Sequence, residues 1–171
     1  MNKYPGDGPP TQREKDIFNT VLDRVKVKGR MPHMIELGCY NAYWSLQFME
    51  HFNGWVILND IDESHLNVGV ENFKANGYLD GYDYRVWHGD ALEICNQIGV
   101  ANVDILHMDI QGAEAEVLSK TVLSKVHNIV VATHSEDLHW MCLELLEDFI
   151  IHVNLPIPSI GGDGFIVGEH E

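Results

Sequence analysis

The chain has 171 residues, 45% of them hydrophobic, which suffices for one core flanked by helices and leaves no room for a second domain of ordinary size. Against 11 Lys and Arg stand 26 Asp and Glu, a formal charge of −15 that repels a phosphate backbone and excludes the basic face on which nucleic-acid binding depends. Cys39, Cys95 and Cys142 form no C-x-x-C pair, and no apolar run reads as a signal or a membrane span, so the expected setting is the cytoplasm, without a disulfide framework or a zinc knuckle.

Residues 1 to 10, punctuated by Pro and Gly, read as a flexible leader placed to lie over a pocket mouth, and residues 11 to 171 as a single domain. Thr11 and Glu14 form a capping box for a helix that carries Ile17, Val21, Leu22 and Val25. Strands are then predicted near 34 to 38, 55 to 60, 84 to 88, 103 to 108 and 128 to 133. They alternate with helices over 43 to 52, 64 to 76, 91 to 98, 113 to 124 and 136 to 147. Leu66, Val70 and Phe73 share one helix face, and Leu138, Cys142 and Leu145 or Leu146 another, as core-facing stripes do. Alternation of this kind implies a parallel sheet. After the last helix the rhythm changes: Phe149 to Asn154 reads as a strand, Leu155 to Asp163 as a Pro and Gly loop, and Gly164 to Glu169 as a returning strand. The predicted fold is therefore α/β, a doubly wound, mostly parallel, seven-stranded Rossmann-like sheet that ends in an antiparallel hairpin.

The chemistry is concentrated at the carboxyl ends of the predicted strands, where ligands of such sheets bind. Ile35 to Gly38 is an apolar run ending in an acid and a glycine, and Asp60 ends the next strand, as a ribose-binding acid does. A dinucleotide needs G-x-G-x-x-G, whose second glycine lets backbone amides approach a pyrophosphate. Tyr40 stands there instead, so the pattern points to a nucleoside cofactor without phosphates.

The run from Glu36 to Ser45 resembles the D-x-G-A-N-x-G-x-x-S motif of the FkbM family of class I S-adenosylmethionine-dependent methyltransferases. His107-Met108-Asp109-Ile110-Gln111-Gly112-Ala113-Glu114 resembles the family's K-x-D-x-E-G-A-E. The resemblance spans residues 34 to 169 and implies a methyltransferase sheet with S-adenosyl-L-methionine as cofactor. It implies that Glu36 and Gly38, with Cys39 and Tyr40, frame the methionine end, that Asp60 and Ile61 meet the ribose, and that Gly89, Asp90 and Ala91 meet the adenine. Carboxylates suit these places because they accept from ribose hydroxyls and an exocyclic amine. Two departures bear on the fit: the family's second glycine is Ala42 here, adding a methyl, and its leading Asp is the longer Glu36.

Methyl transfer needs in-line approach, so positioning carries much of it and a base is needed only for an un-ionised hydroxyl. His134 and Asp109, both at strand ends, are the candidate catalytic residues, with His134 as base and Asp109 orienting the acceptor or the methionine end. Gln111 and Glu114 are the candidate substrate contacts. No local H-x-x-x-H or H-x-E pair marks a metal site, although Asp109, His134 and His139 could converge. The strand end also lacks the [D/N]-P-P-[Y/F] pattern of base amino-methyltransferases. The expected reaction is thus O-methylation of a small-molecule or carbohydrate hydroxyl, without nucleic acid or membrane, and with the leader or a second copy of the chain as cover for the site. Two rival readings remain at this level: a non-catalytic binding or scaffold protein of the same fold, and a nicotinamide-dependent oxidoreductase that would lack its G-x-G.

Overall fold

A computed structural model describes residues 10–27, 29–97, 102–157 and 162–170. In chain order the elements are α1 (Gln12–Leu22), β1 (His33–Leu37), α2 (Tyr43–Phe52), β2 (Trp55–Asp60), α3 (Glu63–Ala75), β3 (Tyr84–His88), α4 (Ala91–Gln97), β4 (Val103–Met108), α5 (Glu114–Lys120), β5 (Val126–Thr133), α6 (Glu136–Leu145), β6 (Ile150–Leu155) and β7 (Gly164–Glu169). The strands form one sheet in the order β3-β2-β1-β4-β5-β7-β6. The β1–β2, β1–β4, β2–β3 and β4–β5 pairs are parallel, whereas β7 runs antiparallel to both β5 and β6. This is the predicted doubly wound sheet with its closing hairpin. The expected leader falls outside the described residues up to position 9.

Two apolar layers cover the sheet. On one face α1, α2 and α3 bring Phe18, Phe48, Leu66 and Phe73 onto Met34, Leu58, Ile105 and Val130. On the other, α4, α5 and α6 bring Ile94, Val117, Leu118 and Cys142 onto Leu37, Leu106, Met108 and Val131. Every residue of β4 is buried, as befits a central strand covered on both sides, while β3 at the edge buries only Tyr84 fully.

Local chemistry explains the helix starts. The Thr11–Glu14 capping box forms as expected, Asp62 caps α3 by accepting from Ser64 and His65, and Ser135 caps α6. Three expected boundaries are corrected. α1 stops at Leu22, so Val25 packs against the core from the following turn. The helix expected over 113 to 124 is only Glu114–Lys120, followed by a 3₁₀ turn at Leu123–Lys125. There the Thr121 hydroxyl donates back to the Val117 carbonyl and the backbone turns extended, a competition that hydroxyl side chains commonly win at helix ends. Finally, β5 begins at Val126, because Val103 on β4 offers it a pairing partner two residues earlier than its own apolar run suggests.

At the foot of the sheet Asp104, 2% exposed, takes both guanidinium nitrogens of Arg30, 2.7 and 2.5 Å away, and the His33 amide at 2.8 Å. This pair ties the approach to β1 onto β4, at the end of the sheet opposite the site.

Candidate functional site

A cleft of about 770 Å³ crosses the carboxyl ends of the strands from β3 to β7. Glu36, Gly38, Cys39, Tyr40, Asp60, Ile61, Gly89, Asp90, Ala91, Asp109 and Gln111 all line it, so eleven of the thirteen residues singled out in the sequence meet in one cavity. The two that do not line it are His134 and Glu114.

Gly38 sits where β1 meets β4. Its φ is +75°, its amide donates to the Asn59 carbonyl, and the Asp109 amide donates to the Leu37 carbonyl. A Cβ at this position would overlap the Asp109 carbonyl oxygen and lie 2.8 Å from the carbonyl carbon. Only glycine lets the two strand ends approach so closely.

The turn after Gly38 is held by side chains from neighbouring strands. Asp60, 6% exposed, accepts from the Tyr40 amide at 3.0 Å and from the Asp62 amide at 2.9 Å. Asn59 reaches the other way, donating to the Trp87 and Gly89 carbonyls, which fixes the end of β3 beside β2. Tyr40 and Ala42 both take left-handed conformations, φ 42° and 55°. Ala42 thus occupies a glycine-like position, and its methyl is turned away from the cleft: it is fully buried, and Gly69 on α3 leaves the space it fills. The concern that this methyl crowds a cofactor is therefore corrected.

Glu36 has a structural duty as well as a place in the cleft. Ala42 caps α2 without a side-chain oxygen, and Glu36 accepts the Ser45 amide of that helix at 3.0 Å. Burial pushes its carboxyl up to about 8, against the opposing pull of the Ser45 hydrogen bonds. The folded chain therefore holds this proton while the unfolded chain releases it near 4.5, so stability falls as pH rises between those values. Glu36→Gln, which keeps an acceptor for Ser45, should match the parent in melting temperature near pH 4 and exceed it at pH 9. Melting curves that stay parallel across this range would assign the carboxyl an ordinary environment.

The second motif has a different role from the one expected. Glu114 is fully buried, and its two carboxylate oxygens accept from the Ile110 amide at 3.1 Å and the Gly112 amide at 3.0 Å. It shapes the loop from within, so the expected substrate contact is corrected. His134 lies between carboxylates: Nδ1 is 3.1 Å from Glu114, off the line of a hydrogen bond, and Nε2 is 3.1 Å from Asp109 and 3.7 Å from Asp163. Burial alone would lower its pKa, but Asp109 and Glu114 outweigh this and raise it to about 10. Its Nε2 also lies 2.9 Å from the Gln111 side-chain amide nitrogen, and His134 is not among the residues lining the cleft, so the side chain expected as a base stands behind Asp109. Burial pushes the Asp109 carboxyl up, but His134 and the Gln111 amide, which donates to Oδ1 at 3.0 Å, pull it down by more. The result is an ionised carboxylate about one-third exposed at the cleft (35%).

Several lining residues have no role assigned from the sequence, although Tyr43, Trp44 and His107 lie within the two motif runs. Tyr43 and Trp44 enter from α2, His65 from α3, Asp163 and Phe165 from the hairpin, and Pro10, Thr11 and Glu14 from the start of α1. His107, 3% exposed, stands between Phe18 and Trp44, with ring centroids 6.0 and 5.7 Å away. Burial lowers its pKa to about 4, so it is neutral, and its buried Nδ1 has no hydrogen-bond partner. His139 is apart from the cleft, bonded to Thr133 and Asn154 at 2.9 Å each, so it does not converge with Asp109 and His134. Among the described residues no three His, Cys, Asp or Glu are grouped to hold a metal ion, and no helix is long and apolar enough to cross a membrane.

No protein family and no curated protein matches the sequence. Solved structures do match the fold. An O-methyltransferase from Bacillus cereus in complex with S-adenosylhomocysteine superimposes with a TM-score of 0.74 at 15% identity, over 98% of this chain and 84% of that one. TrmK from M. capricolum, also in complex with S-adenosylhomocysteine, gives 0.64 at 13%, over 91% and 68%. A precorrin 8W decarboxylase from Methanobacterium thermoautotrophicum gives 0.71 at 16%, over 100% and 97%. At these identities the likeness concerns architecture, and the chain has the Rossmann-like methyltransferase fold.

Proposed function

We propose that the protein is an S-adenosylmethionine-dependent methyltransferase of FkbM type that methylates a hydroxyl of a small molecule or carbohydrate. The observation that carries this reading is the cleft itself, where Gly38, Asp60 and Asp90 stand at the ends of β1, β2 and β3 in the order a nucleoside cofactor needs. The residues fit the group: Asp60 and Asp90 can accept from its hydroxyls and amine, Ile61 exposes 74% of its surface beside them, and Glu36 and Asp109 flank the methionine end. When bound, the cofactor supplies an electrophilic methyl. The chain supplies position, with Asp109 accepting a hydrogen bond from the acceptor hydroxyl and His134 holding that carboxylate ionised and fixed. Two neighbours of the same fold are in complex with S-adenosylhomocysteine, and one of these is an O-methyltransferase, which supports the choice of cofactor and reaction.

Calorimetry with S-adenosylhomocysteine tests it. Asp60→Asn keeps one oxygen to accept from the Tyr40 or Asp62 amide and loses the charge, so affinity should fall about ten-fold or more, in line with roughly 1.5 to 3 kcal/mol for a hydrogen bond to a charged group. Unchanged affinity would take Asp60 out of the site, and tighter binding of NAD than of S-adenosylhomocysteine would replace the reading altogether.

A further inference from the structure

The cleft has two halves set by the strand order. The half over β3, β2 and β1 holds the residues assigned to the cofactor. The half over β4, β5 and β7 is roofed by α1 and the start of α2, and it is lined by Glu14, Trp44, His107, Asp109, Asp163 and Phe165. Three of these are carboxylates and two are aromatic, and among the described residues no Lys or Arg lines either half. We propose, on the strength of the methyltransferase reading, that this second half takes an organic cation: an acceptor whose hydroxyl meets Asp109 and whose ammonium group, at its other end, rests between Glu14 and Asp163 while its body packs against Trp44 and Phe165.

Three observations support the choice. A phosphate or carboxylate group on the acceptor would find no lysine or arginine among the described residues that line the cleft, the nearby Lys15 ammonium being placed over the Tyr43 ring 5.5 Å from its centroid, and buried charge without a partner is strongly disfavoured. His134 lies behind Asp109 and does not line the cleft, so it offers an anion no contact. His107, the histidine that lines this half, is kept neutral by burial between Phe18 and Trp44, so it adds no positive charge there. Aromatic faces beside carboxylates are the usual environment of a bound ammonium.

Three probes of one shape decide the matter: tyramine, its neutral alcohol analogue tyrosol, and 4-hydroxyphenylacetate. Each is titrated by calorimetry into the protein saturated with S-adenosylhomocysteine. Tyramine should bind about ten-fold or more tightly than 4-hydroxyphenylacetate, with tyrosol between them, and its advantage should shrink as salt is raised. In the Glu14→Gln, Asp163→Asn double variant, where the glutamine side chain can still complete the capping box with Thr11, tyramine should lose several-fold in affinity. Tyrosol should change little there, and S-adenosylhomocysteine should bind as before. Equal or tighter binding of 4-hydroxyphenylacetate overturns the proposal, as does failure of tyramine to bind at millimolar concentration. Loss of S-adenosylhomocysteine binding by the parent protein is seen before any probe is added, and it overturns the cofactor reading together with this inference.

Discussion

Gly38→Val is expected to abolish cofactor binding and to lower stability at the same time. The backbone at Gly38 is left-handed, which costs a β-branched residue about 1 to 3 kcal/mol before any contact is considered. The new side chain then meets the Asp109 backbone, where no rotamer can relieve it, so β1 and β4 must part at their carboxyl ends. The Asp109 amide would lose the Leu37 carbonyl, and Asp109 would shift relative to Glu36. Thermal unfolding and calorimetry with S-adenosylhomocysteine measure the two effects. Gly112→Val serves as the control, because its φ of 113° carries at least as much backbone strain with open space around the Cβ. A Gly38→Val protein that binds as the Gly112→Val protein does would mean that the close approach of the two strands is irrelevant to the site.

Glu114→Ala is expected to cost about 3 to 5 kcal/mol, the range for breaking a buried charge pair by removing one partner. The variant leaves the Ile110 and Gly112 amides without acceptors and removes one of the carboxylates that face His134. For a domain of this size the melting temperature should drop by about 10 °C. The pH dependence identifies the cause. The folded pKa of His134 is raised to about 10 from an ordinary value of 6.5, so its contribution is fully present below pH 6.5 and is lost as pH rises through 10. The deficit of Glu114→Ala should therefore be largest below pH 6.5 and shrink at alkaline pH, and the His134 resonance should titrate closer to neutrality. Glu114→Gln, which can still accept one loop amide, should recover part of the stability and little of the His134 shift. A melting temperature within about 2 °C of the parent would show that the loop does not depend on this carboxylate.

Much of this protein is legible in its sequence because the signals are local. Alternation of apolar strands with amphipathic helices, the Thr11 capping box and the acids that close β2 and β3 each depend on residues close together in the chain. Strand ends in a parallel sheet converge on one edge, which is why Gly38, Asp60, Asp90 and Asp109 could be assigned to a common site from their positions alone. The chemistry of that site is another matter, since it depends on which strands are neighbours. The placing of β7 between β5 and β6 brings Asp163 to His134, and the pairing of β5 with β4 brings His134 to Asp109. Together with the buried Glu114, these contacts raise to about 10 the pKa of a histidine that reads as an ordinary base. The same holds for Ala42, whose methyl reads as an obstacle until Gly69 on α3 is seen to receive it, and for His107, whose neutrality comes from the rings of α1 and α2 packed around it. Sequence by itself determined the elements and the edge of the sheet at which they end. The protonation states and the division of the cleft were decided by tertiary structure, because burial and the field of charges brought from distant parts of the chain set them.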